Sequence, residues 1–196
     1  MATTKLSEDI LVSNYTKYKK RLNSYIGEDI SNSIIEALGG EDAVMRASFA
    51  TTQDTGLAYE GSLCKALLNI TAFAIKINDL LPEAKRADKN SIVKVVLLSG
   101  ISKVVMFKPN DDEWSRNKRG VIYSFNDDLE GALRACERSI MIAMNAGVKF
   151  TDTEYEAMRI MDKSIEDDGY SRYRAGVLST VVRQAYELIT LLSKKL

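Results

Sequence analysis

The stretch VKVVLLSGISKVVMFKP, residues 93–109, decides how the middle of this chain folds. An almost unbroken apolar run reaches a Ser-Gly pair at Ser99 and Gly100, and a second apolar run follows before a polar loop. The β-branched residues would suit a strand. The length of the run and the helical patterns on both sides favour a helix over residues 91–103 that is buried on most of its faces.

Apolar residues recur at helical spacing on both sides of this stretch. A helix is predicted from Glu60 to Pro82, because its apolar side chains are spaced 4, 3, 4, 3 and 4 residues apart: Leu63, Leu67, Ile70, Ala74, Ile77 and Leu81. Further helices are predicted from Ser7 to Gly27, over residues 29–38, from Asn126 or Asp127 to Gly147, after a Thr151–Glu154 capping box, and over residues 178–192.

These patterns predict an all-α fold, a single compact bundle of several helices. Residues 104–107 and 120–125 flank a polar segment and predict a short β-hairpin, or flap, around residues 104–125. The helices of residues 1–45 are expected to pack on a helical domain of residues 46–196, as one structural domain of ordinary size.

Composition excludes several chemistries. The 196 residues contain no histidine, which removes the commonest metal ligand and the commonest acid–base group near neutral pH. The 27 Lys and Arg residues balance the 27 Asp and Glu residues, so the chain is not expected to bind nucleic acid as its main partner. A Ser-His or Cys-His nucleophile is impossible, and no cofactor is predicted.

Cysteine use and hydropathy bear on the compartment. The two cysteines, Cys64 and Cys136, suit buried thiols in a reducing cytoplasm. No secretory signal opens the chain, and no apolar run reaches the roughly 18 residues that a membrane-spanning helix needs. The protein is therefore expected in the cytoplasm, neither secreted nor inserted in a membrane.

Two features of the first predicted helix allow alternatives. The basic cluster of Lys17, Lys19, Lys20 and Arg21 is interpreted as a solvated helix face, with a local basic patch as the alternative. The aromatic stripe of Tyr15, Tyr18 and Tyr25 indicates either core packing or an oligomer face.

Four segments, read in order, resemble the small HD-domain phosphohydrolase-like proteins that are widespread in bacterial viruses. The segments are residues 58–70, 95–107, 133–161 and 181–190. Order and spacing match over residues 45–192, and the matching scaffold positions include Tyr59, Glu60, Gly61, Lys103 and Trp114. The resemblance implies an HD-like helical fold and a viral protein in the host-cell cytoplasm, with incorporation into the virion as a further expectation.

The resemblance also implies that the metal site has been lost. Enzymes of that group hold divalent ions with histidines and aspartates, and the ions activate a water and polarise a phosphate. In this chain the corresponding positions carry other residues, and no metal is expected there: Ala66, Ser99, Gly100, Ala135, Met161 and Tyr186.

Basic residues near that site remain candidates for binding. Lys103 and Arg159, with Tyr59, stand where the resemblance implies contacts to a phosphate, so a nucleotide or phosphate ligand is one hypothesis. The alternative is that Lys103 and Arg159 are ordinary cations paired with Glu137 or Asp162.

The polar tip of the predicted flap offers a second candidate surface. Trp114 stands beside Arg116 and Arg119, and an exposed tryptophan among cations can anchor a partner or stack on a base. The alternative is that Trp114 folds back as a lid over the pocket. The acidic pairs Asp111-Asp112, Asp127-Asp128 and Asp167-Asp168 are expected to cap helices or solvate turns rather than to bind metal.

The leading hypothesis is a non-catalytic viral protein, kept as a structural or assembly component or as a protein-interaction module. It implies a protein partner or self-association. The alternatives are a protein that binds a nucleotide or phosphate without hydrolysing it and, less favoured, a residual metal-dependent phosphohydrolase.

Overall fold

The computed structural model describes residues 6–161 and 175–194. It is mostly helical with one short antiparallel pair of strands, which confirms the prediction of an all-α fold with a hairpin. The helices are α1 (Glu8–Ile26), α2 (Glu28–Ala37), α3 (Glu41–Arg46), α4 (Ser62–Asp79), α5 (Lys89–Ser99), α6 (Lys103–Met106), α7 (Glu113–Arg119), α8 (Ala135–Asn145), α9 (Asp152–Ile160) and α10 (Val177–Ser193). Within the described ranges, no helix is both long enough and apolar enough to cross a membrane.

Helix α5 lies at the centre of the bundle and contacts α1, α4, α8, α9 and α10. Its apolar side chains are buried on every side of the helix: Ile92, Val93, Val95, Val96, Leu97 and Leu98. Each such side chain stabilises the fold by about 1.5–3 kcal/mol when it is removed from water. The apolar run that could have formed a strand is a helix because other helices surround it completely.

The predicted helix over residues 91–103 is interrupted, and this corrects the prediction. Helix α5 ends at Ser99, and the turn through Gly100 leads into the separate helix α6. A Cβ at Gly100 would lie 3.4 Å from Leu67 and 3.5 Å from Leu63, which is ordinary van der Waals contact, so the turn lies beside α4 without requiring a glycine. The turn is fixed from the other side by Ser102, whose backbone N–H donates to Ser139 Oγ at 3.1 Å.

The hairpin is shorter than the sequence predicts. Strand β1 (Phe107–Pro109) pairs antiparallel with β2 (Tyr123–Phe125), with Phe107 opposite Phe125. Residues 104–106, expected in the hairpin, belong to α6 instead, because the chain continues helically after the Gly100 turn. The polar tip contains α7, and a bridge between Thr52 and Val121 attaches the flap to the body of the protein.

The helix predicted from Asn126 or Asp127 begins only at Ala135. Gly131 has a φ of +77°, which no right-handed helix accommodates. The start of α8 is fixed by Glu137, whose carboxylate accepts the backbone N–H of Arg134. Leu129 and Leu133 therefore lie in turns outside the helix.

Helix α4 is also shorter than the predicted span from Glu60 to Pro82. Its N-cap, Gly61, has a φ of +79°, and a Cβ there would lie 1.9 Å from Leu11 Cδ2. Only glycine can therefore bring α1 this close to the start of α4. The helix stops at Asp79, one turn before Pro82.

The aromatic stripe of α1 divides between the core and the surface. Tyr15 and Tyr18 are buried in the same core as residues of α2 and α3, whereas Tyr25 is 38% exposed. The hydroxyl of Tyr18 donates to the carbonyl of Leu97 at 3.1 Å, which links α1 to α5, and burial raises the pKa of Tyr18. Ser7 is the N-cap of α1 as predicted, but its side chain makes no capping hydrogen bond.

A buried ion pair joins α9 to the central helix. Glu154, which is 4% exposed, accepts from Lys94 Nζ at 2.7 Å and from the Ser91 hydroxyl at 2.9 Å. It also accepts the backbone N–H of Thr151 and so completes the predicted capping box. Burial alone would raise the pKa of Glu154, but these hydrogen bonds and the charge of Lys94 outweigh it and lower the pKa.

We expect Glu154→Gln to lower the free energy of unfolding by about 3 kcal/mol at neutral pH, because it leaves the Lys94 ammonium without its counter-charge. The lowered pKa means that the contribution of Glu154 is complete above the ordinary carboxyl pKa of about 4.3 and is lost as the pH falls through the folded-state pKa. Urea unfolding at several pH values should therefore show the two proteins converging in acid.

The control is Glu36→Gln, the same substitution at an exposed position of α2. It should change the stability by less than about 0.5 kcal/mol at every pH. A pH-independent difference between Glu154→Gln and the wild type would contradict the assignment.

Candidate functional site

The residues that stand at the implied metal positions meet around one small cavity. Ser99 and Gly100 reach it from the end of α5, Met161 from the end of α9, and Tyr186 from the middle of α10. The other residues that line it are Phe49, Lys103, Cys136 and Met158. Separate segments of the chain that the resemblance treats as one site therefore converge in space.

Two of the implied positions do not line this cavity. Ala66 is buried in α4, 1% exposed, and packs within the core. Ala135 is the first residue of α8, and its carbonyl accepts the Ser102 hydroxyl at 2.7 Å. Its neighbour Cys136 lines the cavity in its place.

Among the residues that the structure describes, Lys103 is the only cation that lines the cavity, and it is 8% exposed. Its ammonium group donates to the carbonyl of Phe49 at 2.9 Å and lies 3.7 Å from the centroid of the Phe49 ring. The Tyr186 ring packs against the Phe49 ring, and its centroid lies 5.7 Å from the same nitrogen. Burying an ammonium group is costly, and hydrogen bonding together with contact to aromatic faces offsets that cost.

The size of the cavity limits what it can hold. Its volume is about 10 Å³, which is close to the minimum for one water molecule. The eight described residues that line the cavity include no carboxylate, and the charge of Lys103 repels a second cation. As it stands, the cavity has no room for a phosphate or a nucleotide.

The acidic pairs have structural roles where they are described. The carboxylate of Asp112 accepts from the Trp114 backbone N–H and caps α7, and a hydrogen bond from Ser115 lowers its pKa. The carboxylate oxygen Oδ2 of Asp127 lies 4.0 Å from Nζ of Lys108. Asp167-Asp168 lies outside the described residues. In the part of the chain that is described, no group of three or more Asp, Glu or Cys side chains is arranged to hold a metal.

The structure does not bring the three predicted phosphate-binding residues together. Lys103 is buried in the cavity, whereas Arg159 is exposed on α9 and Tyr59 is half-buried just before α4. Neither Arg159 nor Tyr59 lines the cavity. Of the alternative acidic partners, Glu137 caps α8, and Asp162 lies outside the described residues.

Trp114 lies on the surface of the flap. Its side chain is 61% exposed and does not line the cavity, so it is not a lid. Arg116 donates to the carbonyl of Asn110 at 2.8 Å and so braces the flap, and Arg119 is exposed at the end of α7. Cations in the last turn also stabilise a helix through its dipole, which gives Arg116 and Arg119 a structural role beside the predicted role in binding.

A groove of about 940 Å³ lies elsewhere, between α1, α4 and the start of α5. The sequence indicates a basic patch on α1 as an alternative interpretation but does not predict this groove. The signal that could have found it is the match between two helix faces, residues 14, 17, 21 and 24 on α1 and residues 65, 69 and 72 on α4. Its lining residues are Asn14, Lys17, Lys20, Arg21, Ser24, Tyr25, Lys65, Leu68, Asn69, Ala72 and Asn90.

Comparisons of the chain with protein-family models, with curated proteins and with solved structures gave no significant match.

We expect Lys103→Ala to lower the free energy of unfolding by about 2–4 kcal/mol, because it leaves the Phe49 carbonyl without this donor and opens a void beside the two aromatic rings. The matched control is Lys108→Ala, a half-buried lysine of the nearby strand β1 whose carboxylate neighbour is exposed. That control should lose less than about 0.5 kcal/mol. Equal losses in the two variants, measured by urea unfolding, would show that Lys103 is not a structural element of this site.

Proposed function

We propose that this chain is a non-catalytic HD-like protein that acts through its surface, as a structural or assembly component or as a protein-interaction module. The resemblance of the four sequence segments supplies the viral setting and the virion as the place where such a component would act. The observation that carries the proposal is the cavity: residues at the implied metal positions enclose a buried lysine and about 10 Å³ of space.

Three physical points support the absence of hydrolysis. Activation of water by a metal requires ligands that replace the hydration shell of the ion. The lining residues that the structure describes offer a hydroxyl, a phenol, a thiol and two thioethers but no carboxylate or imidazole. The lysine already occupies the position with a positive charge. Its hydrogen bond and ring contacts are those of a packed structural group.

The same points weigh against nucleotide binding and against residual hydrolysis in the cavity around Lys103. A nucleotide would need Lys103 to leave the two rings and the cavity to expand many-fold from its present volume. A residual metal-dependent hydrolase would need metal-coordinating side chains from elsewhere in the chain. The interaction role is supported by the exposed indole of Trp114, because an exposed aromatic side chain gains free energy when a partner covers it.

Metal analysis and a phosphatase assay test the proposal. Protein purified without chelator should contain far less than one equivalent of divalent metal, and Mn²⁺ should not induce hydrolysis of phosphomonoesters or phosphodiesters. The matched control is Lys103→Ala, which should give the same background rate. Turnover that a chelator abolishes, or that Lys103→Ala alters, would overturn the proposal.

Trp114 gives a direct readout of the proposed contact surface, because it is the one tryptophan of the chain. A second copy of the chain is the first partner to test, since it needs no other component. If copies meet through the flap, acrylamide quenching of tryptophan fluorescence should weaken as the protein concentration rises. Arg116→Glu combined with Arg119→Glu should restore quenching, whereas Lys149→Glu, at an exposed site before α9, should not. Constant quenching at all concentrations would rule out self-association through the flap.

A further inference from the structure

The groove between α1 and α4 is lined by four cations, although the chain as a whole has no net charge. Lys17, Lys20 and Arg21 project from α1, and Lys65 faces them from α4, while no acidic residue lines the groove. Lys19, which the sequence places in the same cluster, pairs instead with Glu41, and this hydrogen bond lowers the pKa of Glu41. All the charged side chains that line this groove, among the described residues, are therefore basic.

These four cations have no counter-charge within the described part of the chain. None of Lys17, Lys20, Arg21 and Lys65 forms an ion pair there, and all are exposed. Like charges three and four residues apart on a helix destabilise it by a few tenths of a kcal/mol per pair. A bound anion would offset that cost.

Uncharged donors and an aromatic ring complete the groove. The side-chain amide nitrogen of Asn14, Nδ2, is buried and has no hydrogen-bond partner among the described residues. Asn69 and Asn90 supply further amides, Ser24 supplies a hydroxyl, and Tyr25 supplies a ring that is 38% exposed. Such a buried donor costs free energy unless an acceptor oxygen reaches it, from a ligand or from water.

The shape of the groove favours an extended ligand over a compact one. Its α1 residues run from Asn14 to Tyr25, which spans about 16 Å along the helix axis at 1.5 Å per residue. The cationic side chains are exposed rather than enclosed, so a bound ligand would stay partly in water. Proteins that bind single strands without sequence preference combine such a basic track with aromatic side chains on which bases stack.

We propose that this groove binds the phosphate backbone of single-stranded nucleic acid, with Lys17, Lys20, Arg21 and Lys65 contacting phosphates and Tyr25 stacking on a base. This function goes beyond the surface role proposed above and does not depend on the cavity around Lys103. A free nucleotide shares part of this chemistry and would fill only part of the groove.

Fluorescence anisotropy with a labelled oligothymidylate tests the inference. Four phosphate contacts predict that log K falls against log salt with a slope of about −2.8, at about 0.7 per phosphate for a single strand. Lys17→Ala combined with Lys65→Ala should reduce the slope to about −1.4 and weaken binding by about tenfold per lost contact. Tyr25→Ala should weaken binding about tenfold with the slope unchanged.

The control pair is Lys76→Ala combined with Lys149→Ala, which removes the same charge from exposed positions outside the groove. It should leave affinity and slope unchanged, and circular dichroism should show every variant folded. Equal weakening in the control pair would mean diffuse electrostatic attraction and would overturn the assignment of the groove.

Competition experiments distinguish single-stranded nucleic acid from the other phosphate-bearing ligands that the groove could bind. Inorganic phosphate and adenosine monophosphate should displace the oligonucleotide only at far higher concentrations than unlabelled oligothymidylate, and a duplex of equal length should compete more weakly than the single strand. Equal competition by the mononucleotide, equal competition by the duplex, or no binding of the oligonucleotide at low salt would each overturn the proposal.

Discussion

Helix α5 carries apolar side chains all round over residues 92–98, interrupted only by Lys94, and this constraint determines the rest of the bundle. A helix that is apolar all round must be enclosed by other helices. Five helices contact it, and two polar links reach it inside the bundle: the Tyr18 hydroxyl donates to the Leu97 carbonyl, and Lys94 pairs with Glu154. The hydrophobic effect supplies the driving force, and these two links fix how α1 and α9 sit against the centre.

The Ser-Gly pair in the middle of the apolar stretch marks the end of α5. The helix ends at Ser99, and the turn through Gly100 lies beside Leu63 and Leu67 of α4. Lys103 follows this turn, and its ammonium group lies 3.7 Å from the centroid of the Phe49 ring and 5.7 Å from that of the Tyr186 ring. A position that the resemblance associates with metal chemistry is filled here by close packing around one lysine.

The sequence predicts the all-α class, the buried central helix, the buried thiols Cys64 and Cys136 and the Thr151–Glu154 capping box, because each depends on local periodicity, composition or capping chemistry. Helix ends are predicted less well. The break at Gly100 falls inside a continuous apolar run, and the late start of α8 depends on the backbone of Gly131, so neither can be read from periodicity. The basic groove is missed for a related reason: Lys65 joins the cations of α1 only once α1 and α4 have packed together.

The central claim is that the implied metal site has become a packed structural site around Lys103. The most direct test is a crystal structure of protein grown with excess Mn²⁺, with anomalous scattering used to locate the ion. The account predicts no anomalous peak in the cavity bounded by Ser99, Met161 and Tyr186, and Lys103 hydrogen-bonded to the Phe49 carbonyl. An ordered Mn²⁺ in that cavity, with Lys103 turned away from the rings, would contradict it.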